Sequence, residues 1–347
     1  PGHAFKGIPQ EPGRPPALRP AKGGRDGPRE TGGSFPRGSE ESYDPIVPAK
    51  VENRCPRDPL EGRGEQGDVP VAGNMKVLRY RRNMSTKLDR ISELAKGDRK
   101  RQFLSIAHLL TPELLYWAFN NLRKDAGPGV DGVTHAEYAK DAWAKVQSLH
   151  DRLKSGQYRA QPLRRTYIPK ESGDKRPISV PSLEDKVAQK AGSELLNAIY
   201  EQDFLECSYG FRPGRSPHDG LDEIGRIICR RPISHVLEAD IRGYFDAIVR
   251  SQLMEMIERR VRDGSILRLI RKWIHAGVIE NGRLLILKTG TGQGQVISPL
   301  LANIYLHYVL DEWFEEMVKP RLRGEAYEVR YADDCAPRRR EGVLMAT

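Results

Sequence analysis

From Leu109 onward the apolar positions fall three and four apart. Leu110, Leu114, Leu115, Trp117, Ala118 and Leu122 mark one helix face, and Thr111-Pro112-Glu113 ahead of them supplies a capping hydroxyl and a first-turn proline. Gly127-Pro128-Gly129-Val130-Asp131-Gly132-Val133 then breaks the pattern as a loop. Between Arg164 and Val180 the period shortens. Thr166-Tyr167-Ile168 and Pro177-Ile178-Ser179-Val180 read as the arms of a hairpin turning at Ser172-Gly173-Asp174, with Pro169 and Pro177 restricting both arms to edge-like pairing. Ser182 caps a helix with Val187, Ala191, Leu195 and Ile199 on its apolar face. Two more helices follow, one through Leu253, Ile257 and Val261 and one through Ile266, Ile270 and Trp273. A hairpin at Asn281-Gly282 leads into Leu284-Leu285-Ile286-Leu287, and Ser298-Pro299 opens a helix expected to bury Leu306, Leu310, Trp313 and Met317. Two runs have the alternation of strands: Val236-Leu237-Glu238-Ala239, ending in Asp240, and Tyr327, Val329 and Tyr331 alternating with Ala326, Glu328 and Arg330, ending in Asp333 and Asp334. No internal repeat is present.

Composition changes this picture at one end. Residues 1–75 concentrate Gly and Pro (Pro12-Gly13, Pro15-Pro16, Gly23-Gly24, Gly32-Gly33) and have no apolar period, so they are expected to be a disordered tail. The rest of the 347 residues is enough for a sizeable core. Net charge is +10 and pI about 9.4. Lys76 to Arg101 carries ten basic against three acidic side chains. That density suits a polyanion, nucleic acid before an anionic membrane, although a solvated helix face would have the same composition. No run of apolar residues is long enough to span a bilayer, and there is no signal peptide. Cys55, Cys207, Cys229 and Cys335 form neither a zinc spacing nor a disulfide framework, which fits a cytoplasmic setting. The chain starts at Pro1, with its first methionines at Met75 and Met84, and reads as a fragment or as a translation begun upstream of the true start.

The chemistry lies at the ends of the two alternating runs. Asp333 and Asp334 are adjacent carboxylates, which repel each other unless a cation sits between them. Asp240, at the tip of the other run, can join them around Mg²⁺, with the next backbone carbonyls as further hard oxygen ligands. Phe245 is placed to wall the sugar of a nucleotide. The same residues also read as an N-cap aspartate, a core aromatic and an Asx-turn. Gly290 to Pro299 suggests a dinucleotide-binding turn but fails that test, because Gln295 stands where the third glycine belongs. It can still cradle a phosphate or a base pair, or be a plain strand-to-helix loop.

Taken in order, these signals are a basic hairpin, an Asp-bearing strand, a Gly-Gln loop with its helix, and Tyr331-Ala332-Asp333-Asp334. That order resembles the fingers and palm of reverse transcriptases. Gly129 to Thr134, Ile168-Pro169-Lys170, Lys175 to Ile178, Ser208 to Arg215 and Val296 to Leu306 are similar to bacterial group II intron reverse transcriptase/maturases, over about residues 76–334. The resemblance implies an α/β fold, with right-hand polymerase fingers and a partial palm behind the disordered tail. It divides the chain into a basic extension and start of the fingers at 76–150, fingers at 151–230, and a partial palm at 231–347. It implies RNA-directed DNA synthesis by two Mg²⁺ ions on Asp240, Asp333 and Asp334, assisted by the Ile241 carbonyl. Lys170, Arg176 and Arg164 grip the triphosphate, Phe245 excludes a 2′-hydroxyl, and Gln293 lines the nucleotide pocket. Implied partners are the group II intron RNA, an RNA template with a DNA primer, and dNTPs, but no membrane. The basic residues Arg79, Arg81, Arg82, Arg99, Lys100 and Arg101 bind RNA in a splicing role.

The chain departs from that family pattern in places. The family has proline before Gln293 and glycine after Gly294, where this chain has Gly292 and Gln295. Gly292 is expected to loosen the loop and Gln295 to crowd it, weakening the pocket. After Asp334 comes Cys335-Ala336-Pro337-Arg338-Arg339-Arg340-Glu341-Gly342, a poor second strand, read as a truncation that impairs synthesis. The alternatives are an RNA-binding splicing cofactor without polymerase activity, a retron-like reverse transcriptase, and a decayed product that does not fold stably.

Overall fold

In the computed structural model, residues 75–335 are described apart from 170–172, 174, 232, 234 and 238. The side chains of 75–85 and of Asp334 and Cys335 also lie outside the description. The proposed disordered tail is therefore not among the described residues. The chain is mixed α/β. In order it forms α1 (Met75–Gly97), α2 (Pro112–Asn120), α3 (His135–Ala139), α4 (Ala142–Lys154), β1 (Leu163–Pro169), β2 (Lys175–Val180), α5 (Leu183–Tyr200) and α6 (Pro217–Arg230). Then come β3 (Ala239–Asp240), α7 (Tyr244–Ala247), α8 (Arg250–Arg260), α9 (Gly264–Ile274), β4 (Val278–Glu280), β5 (Arg283–Leu285), α10 (Ser298–Leu306) and β6 (Asp334–Cys335).

The helices form where the caps and apolar faces direct. Thr111 accepts from the Leu114 amide and Ser182 from that of Asp185, each satisfying an otherwise orphaned first-turn donor. Val187, Ala191, Leu195 and Ile199 of α5 are fully buried, as are Ile257 of α8 and Ile270 of α9. Each large aliphatic side chain withdrawn from water in this way contributes about 1.5–3 kcal/mol before entropy is charged against it. The larger apolar core runs through α2, α5, α8, α9 and α10.

The larger sheet has the order β2-β1-β4-β5. β1 and β2 are the expected hairpin, with Thr166 opposite Ile178. β1 is not an edge strand, however, because Leu163 and Arg164 also pair in parallel with Val278 and Ile279 of β4. Pro169 is tolerated at the far end of β1, beyond that second pairing. The β4–β5 turn takes Asn281 at φ 50 and Gly282 at φ 75, the left-handed pair that a two-residue hairpin requires.

Two expectations need correction. After α10 the helix continues through π turns at His307–Asp311 and Phe314–Val318. Each π turn takes an extra residue and rotates the following face. Trp313 and Met317 are therefore 50% and 46% exposed, while Asp311 and Phe314 are fully buried. The run Tyr327 to Tyr331 keeps its period of two, but it forms no named strand among the described residues; Arg330 makes an isolated parallel bridge with Ser208. The run is covered on both faces. Val329 packs with Tyr209 and Ile227, while Glu328 and Arg330 are buried on the other side.

Candidate active site

β3 and β6 pair antiparallel, with Ala239 opposite Cys335 and Asp240 opposite Asp334. Directly opposed residues of such a pair stand about 4.5–5.5 Å apart at Cα. β6 thus contains Asp334 itself and pairs with the strand that carries Asp240; residues 336–342, read from the sequence as a poor second strand, lie outside the described residues. Asp240 is exposed and Asp333 half-buried. Burial pushes the Asp333 carboxyl above the ordinary carboxylate range. A backbone hydrogen bond opposes that shift, the Asp240 charge adds to it, and Arg176 and Arg330 oppose it. Two carboxylates from distant parts of the sequence therefore feel each other, with Arg176 of β2 within electrostatic reach. α7 is capped by Gly243 at φ 62, so Asp240 is not its cap residue. Ile241 follows Asp240 and packs its side chain against the core.

The turn that presents Asp333 is strained. Ala332 has φ 59, a conformation that costs a non-glycine residue about 1–2 kcal/mol. Arg330, fully buried, lies directly beneath it. Its Nε and Nη2 donate to the two Asp311 oxygens at 2.7 Å each. Nη1 donates to Asn303 Oδ1 at 3.1 Å and to the Ala332 carbonyl at 2.9 Å, and Nη2 also reaches Ser208 Oγ at 2.8 Å. Asn303 Nδ2 in turn donates to the Gly210 carbonyl at 2.7 Å. Sequence reasoning missed this cluster, since an arginine alternating with tyrosines reads as the solvent face of a strand. The overlooked signal is Asp311, an acid within an otherwise apolar helix face. Cys207, Asp311 and Glu328 also bring ligand-type atoms within 4.8 Å of one another. The guanidinium already occupies both Asp311 oxygens, so this is a charge pair with neighbours and not a cation site. Burial, reinforced by the Asp311 charge, pushes the Glu328 carboxyl up to about 7.

The Gly-Gln loop joins the two sides of the site through its backbone. Thr291 N donates to Phe245 O at 3.0 Å on α7, and Ser179 N of β2 donates to Gln293 O at 2.7 Å. The Gln293 side chain is half-buried. Phe245 is 9% exposed and packs with Tyr244 in the main core, at 5.6 Å between ring centroids. Gly292 sits at φ 73, and its carbonyl accepts from Ser298 Oγ at 3.0 Å. Gln295 is turned inward. Its Oε1 accepts from Gln189 Nε2 at 2.8 Å, and its Nε2 donates to the Thr291 carbonyl. A Cβ on residue 292 would meet Gln295 Nε2 at 2.8 Å. The two departures from the family pattern thus fit each other. Gly292→Pro is expected to destabilise the chain by about 3 kcal/mol, since proline cannot reach a positive φ. Adding Gln295→Gly should restore part of that loss, because it frees the space a re-formed loop needs. Denaturant melts of both single variants and the double variant measure the coupling, and strict additivity would contradict it.

Of the remaining residues, Arg164 is half-buried on β1, with its Nη2 3.4 Å from where a Gly127 Cβ would be. Its charge, after burial, helps to lower the pKa of Lys186, a buried lysine donating to the Gly127 carbonyl at 2.6 Å that the sequence did not single out. Lys170 and the side chains of Arg79, Arg81 and Arg82 lie outside the described residues. Arg99, Lys100 and Arg101 are exposed after α1. The segment is anchored by buried Arg260, which donates to the Asp98 and Arg101 carbonyls at 2.8 and 3.1 Å. Arg99 and Lys100 overhang a cavity of about 930 Å³ whose walls include Asp203, Glu255, Glu258, Glu312 and Glu316.

With the carboxylate pairing and the strained turn established, the comparisons assign a class. The chain carries a reverse transcriptase domain: residues 168–336 match the family described as reverse transcriptase (RNA-dependent DNA polymerase). Within that class it is related to group II intron-encoded proteins. It is 36% identical over 222 residues to the group II intron-encoded protein LtrA of Lactococcus lactis subsp. cremoris, covering 63% of this chain and 37% of that protein. It is 37% identical over 207 residues to protein YkfC of Escherichia coli K12, covering 59% of this chain and 53% of that one. The chain thus spans between about a third and a half of these relatives. The solved structure titled partial Cas6-RT-Cas1–Cas2 complex is 25% identical with a TM-score of 0.41, covering 65% of this chain and 36% of that one.

Proposed function

We propose that the chain performs RNA-directed DNA synthesis for a group II intron, with Asp240, Asp333 and Asp334 as the nucleotidyl-transfer site. One observation carries this reading: Asp240 stands in register with Asp334 across a two-strand pair. A protein gains nothing from concentrating carboxylates at one end of such a pair unless a cation compensates them, and hard oxygen ligands suit Mg²⁺. The three carboxylates, with the Ile241 carbonyl, would hold two Mg²⁺ ions. Bound ions of this kind activate an attacking hydroxyl and neutralise charge developing on a phosphoryl group.

The protein's own residues do the rest. Arg176, already close enough to act on Asp333, neutralises the triphosphate, with Arg164 and Lys170 assisting from the same hairpin. Gln293, held to β2 through its backbone, and Phe245 border the incoming dNTP. Arg99, Lys100 and Arg101, with Arg79, Arg81 and Arg82 of α1, bind intron RNA in a splicing role, where phosphate contacts suit an A-form duplex. An RNA template paired with a DNA primer completes the substrate. Residues 151–230 act as fingers and 231–347 as part of the palm. Among the described residues no helix is long and apolar enough to cross a membrane. The cysteines, with neither a zinc spacing nor a disulfide framework, favour a cytoplasmic setting.

The test is metal removal. Purified chain given an RNA template, a DNA primer and dNTPs should add nucleotides in Mg²⁺, stop on chelation, and resume when Mg²⁺ is restored. RNA affinity should fall steeply with salt whether or not the metal is present. Salt-sensitive RNA binding with no incorporation at any Mg²⁺ concentration would favour a splicing cofactor over a polymerase.

A further inference from the structure

We propose that Arg330 is a positioning residue for the metal site, a role that rests on the polymerase reading above. It would hold the Tyr331–Asp334 turn in its strained shape by gripping the Ala332 carbonyl from below. The accounting of its donors supports this. The guanidinium makes five hydrogen bonds: two to Asp311, and one each to Asn303, Ser208 and the Ala332 carbonyl. Its own backbone is fixed as well. Arg330 N donates to Cys207 O and Tyr209 N donates to Arg330 O, both at 2.8 Å.

A buried ion pair is a weak device for stability, because removing two charges from water offsets most of their attraction. Arg330 and Asp311 are nevertheless both fully buried. Stability alone does not account for that choice; geometry does. The planar fork locks on to one carboxylate and leaves its remaining N–H groups aimed in fixed directions, one of them at the turn. Asp311 is brought under the turn by the π segment His307–Asp311, an irregularity of the kind often found at functional sites. Ala332, the residue whose carbonyl is gripped, is the one in the left-handed region, and Asp333 follows it. The clamp therefore acts on the bond that sets where Asp333 points. Arg330 touches no substrate in this account; it acts through Asp333 and Asp334.

The test compares Arg330→Lys with the paired variant Arg330→Met/Asp311→Leu. The lysine keeps a charge but loses the fork. The paired variant removes both charges, which buried pairs commonly tolerate without loss of stability, so it keeps the question open if the lysine variant fails to fold. Leu195→Ala serves as a destabilised control whose site is remote in sequence from the turn. Hydrogen exchange of the 326–335 segment and Mn²⁺ affinity are measured below the melting range. The expected result in the variants is exchange in that segment, and an Mn²⁺ dissociation constant, each raised about tenfold or more, with exchange in α5 unchanged. Leu195→Ala should move neither the segment's exchange nor the Mn²⁺ constant.

Wild-type exchange and wild-type Mn²⁺ affinity in a folded paired variant would overturn the proposal. So would accelerated exchange with unchanged affinity. Failure of the polymerase reading looks different: Asp333→Ala would leave Mn²⁺ binding intact, while the exchange arm still reports whether Arg330 holds the turn.

Discussion

Gly210→Ala should be among the most damaging single-methyl additions in this chain, lowering stability by about 3 kcal/mol or more, the upper end of what overpacking costs. A Cβ at position 210 would collide with the Ala332 nitrogen and stand 2.8 Å from its Cα and 2.9 Å from its Cβ. Two are backbone atoms and the third is a Cβ fixed to that backbone, so no rotamer change relieves the clash. Neither partner can step aside cheaply. Gly210 is held through its carbonyl by Asn303, and Ala332 is held through its carbonyl by Arg330. The turn must move, and Asp333 moves with it.

Gly225→Ala is the internal control. Gly225 lies within α6 with nothing inside 4 Å of its added Cβ, and alanine there should gain about 0.5–1 kcal/mol in helix propensity. Thermal melts of the two variants should move in opposite directions. A Gly210→Ala chain that melts with the wild type would show that the turn is not packed on the Tyr209–Phe211 segment as described.

That contact marks the boundary of what could be read from the sequence. The helices were legible because capping residues and apolar spacing are local properties: Thr111, Ser182 and the α5 face say the same thing independently. The hairpin at Asn281-Gly282 was legible for the same reason, since turn chemistry is written in two adjacent residues. The carboxylates could be singled out because acids at the end of an apolar alternation are conspicuous. That Asp240 lies in register with Asp334 could not be derived locally, because strand pairing is decided by everything folded between them. The π turns were hidden because they break the period by which helices are read, and so Trp313 and Met317 were expected inside. Arg330 and Asp311 were missed because each reads as an ordinary surface charge until both are seen buried together. Gly292 and Gln295 read as two separate departures, whereas packing sets them against each other.

The second large effect is expected at the carboxylates. Asp333→Ala and Asp240→Ala should each reduce nucleotide incorporation by at least about 10³-fold. Metal-borne charge stabilisation supplies several kcal/mol of the barrier, and each 1.36 kcal/mol is a factor of ten. The loss should fall on the chemical step, with RNA affinity unchanged, since the basic residues assigned to RNA lie in α1 and the segment after it. Neither substitution should harm folding. Asp240 is exposed, and burial of Asp333 raises its pKa, so its ionised form is held at a cost in the fold. Alanine at 333 should leave the melting temperature unchanged or slightly higher at neutral pH. A fall in stability comparable to that of Gly210→Ala would mean that the carboxyl braces the turn instead of serving as a cation ligand.

The measurement closest to the central claim is a titration of the purified chain with Mn²⁺, followed by electron paramagnetic resonance, for the wild type, Asp240→Ala and Asp333→Ala. Carboxylates from both strands sharing the same ions predict that the wild type takes up Mn²⁺ and that either substitution alone weakens all of that uptake. Mn²⁺ binding that survives in Asp240→Ala while vanishing in Asp333→Ala, or that is indifferent to both, would contradict a shared site.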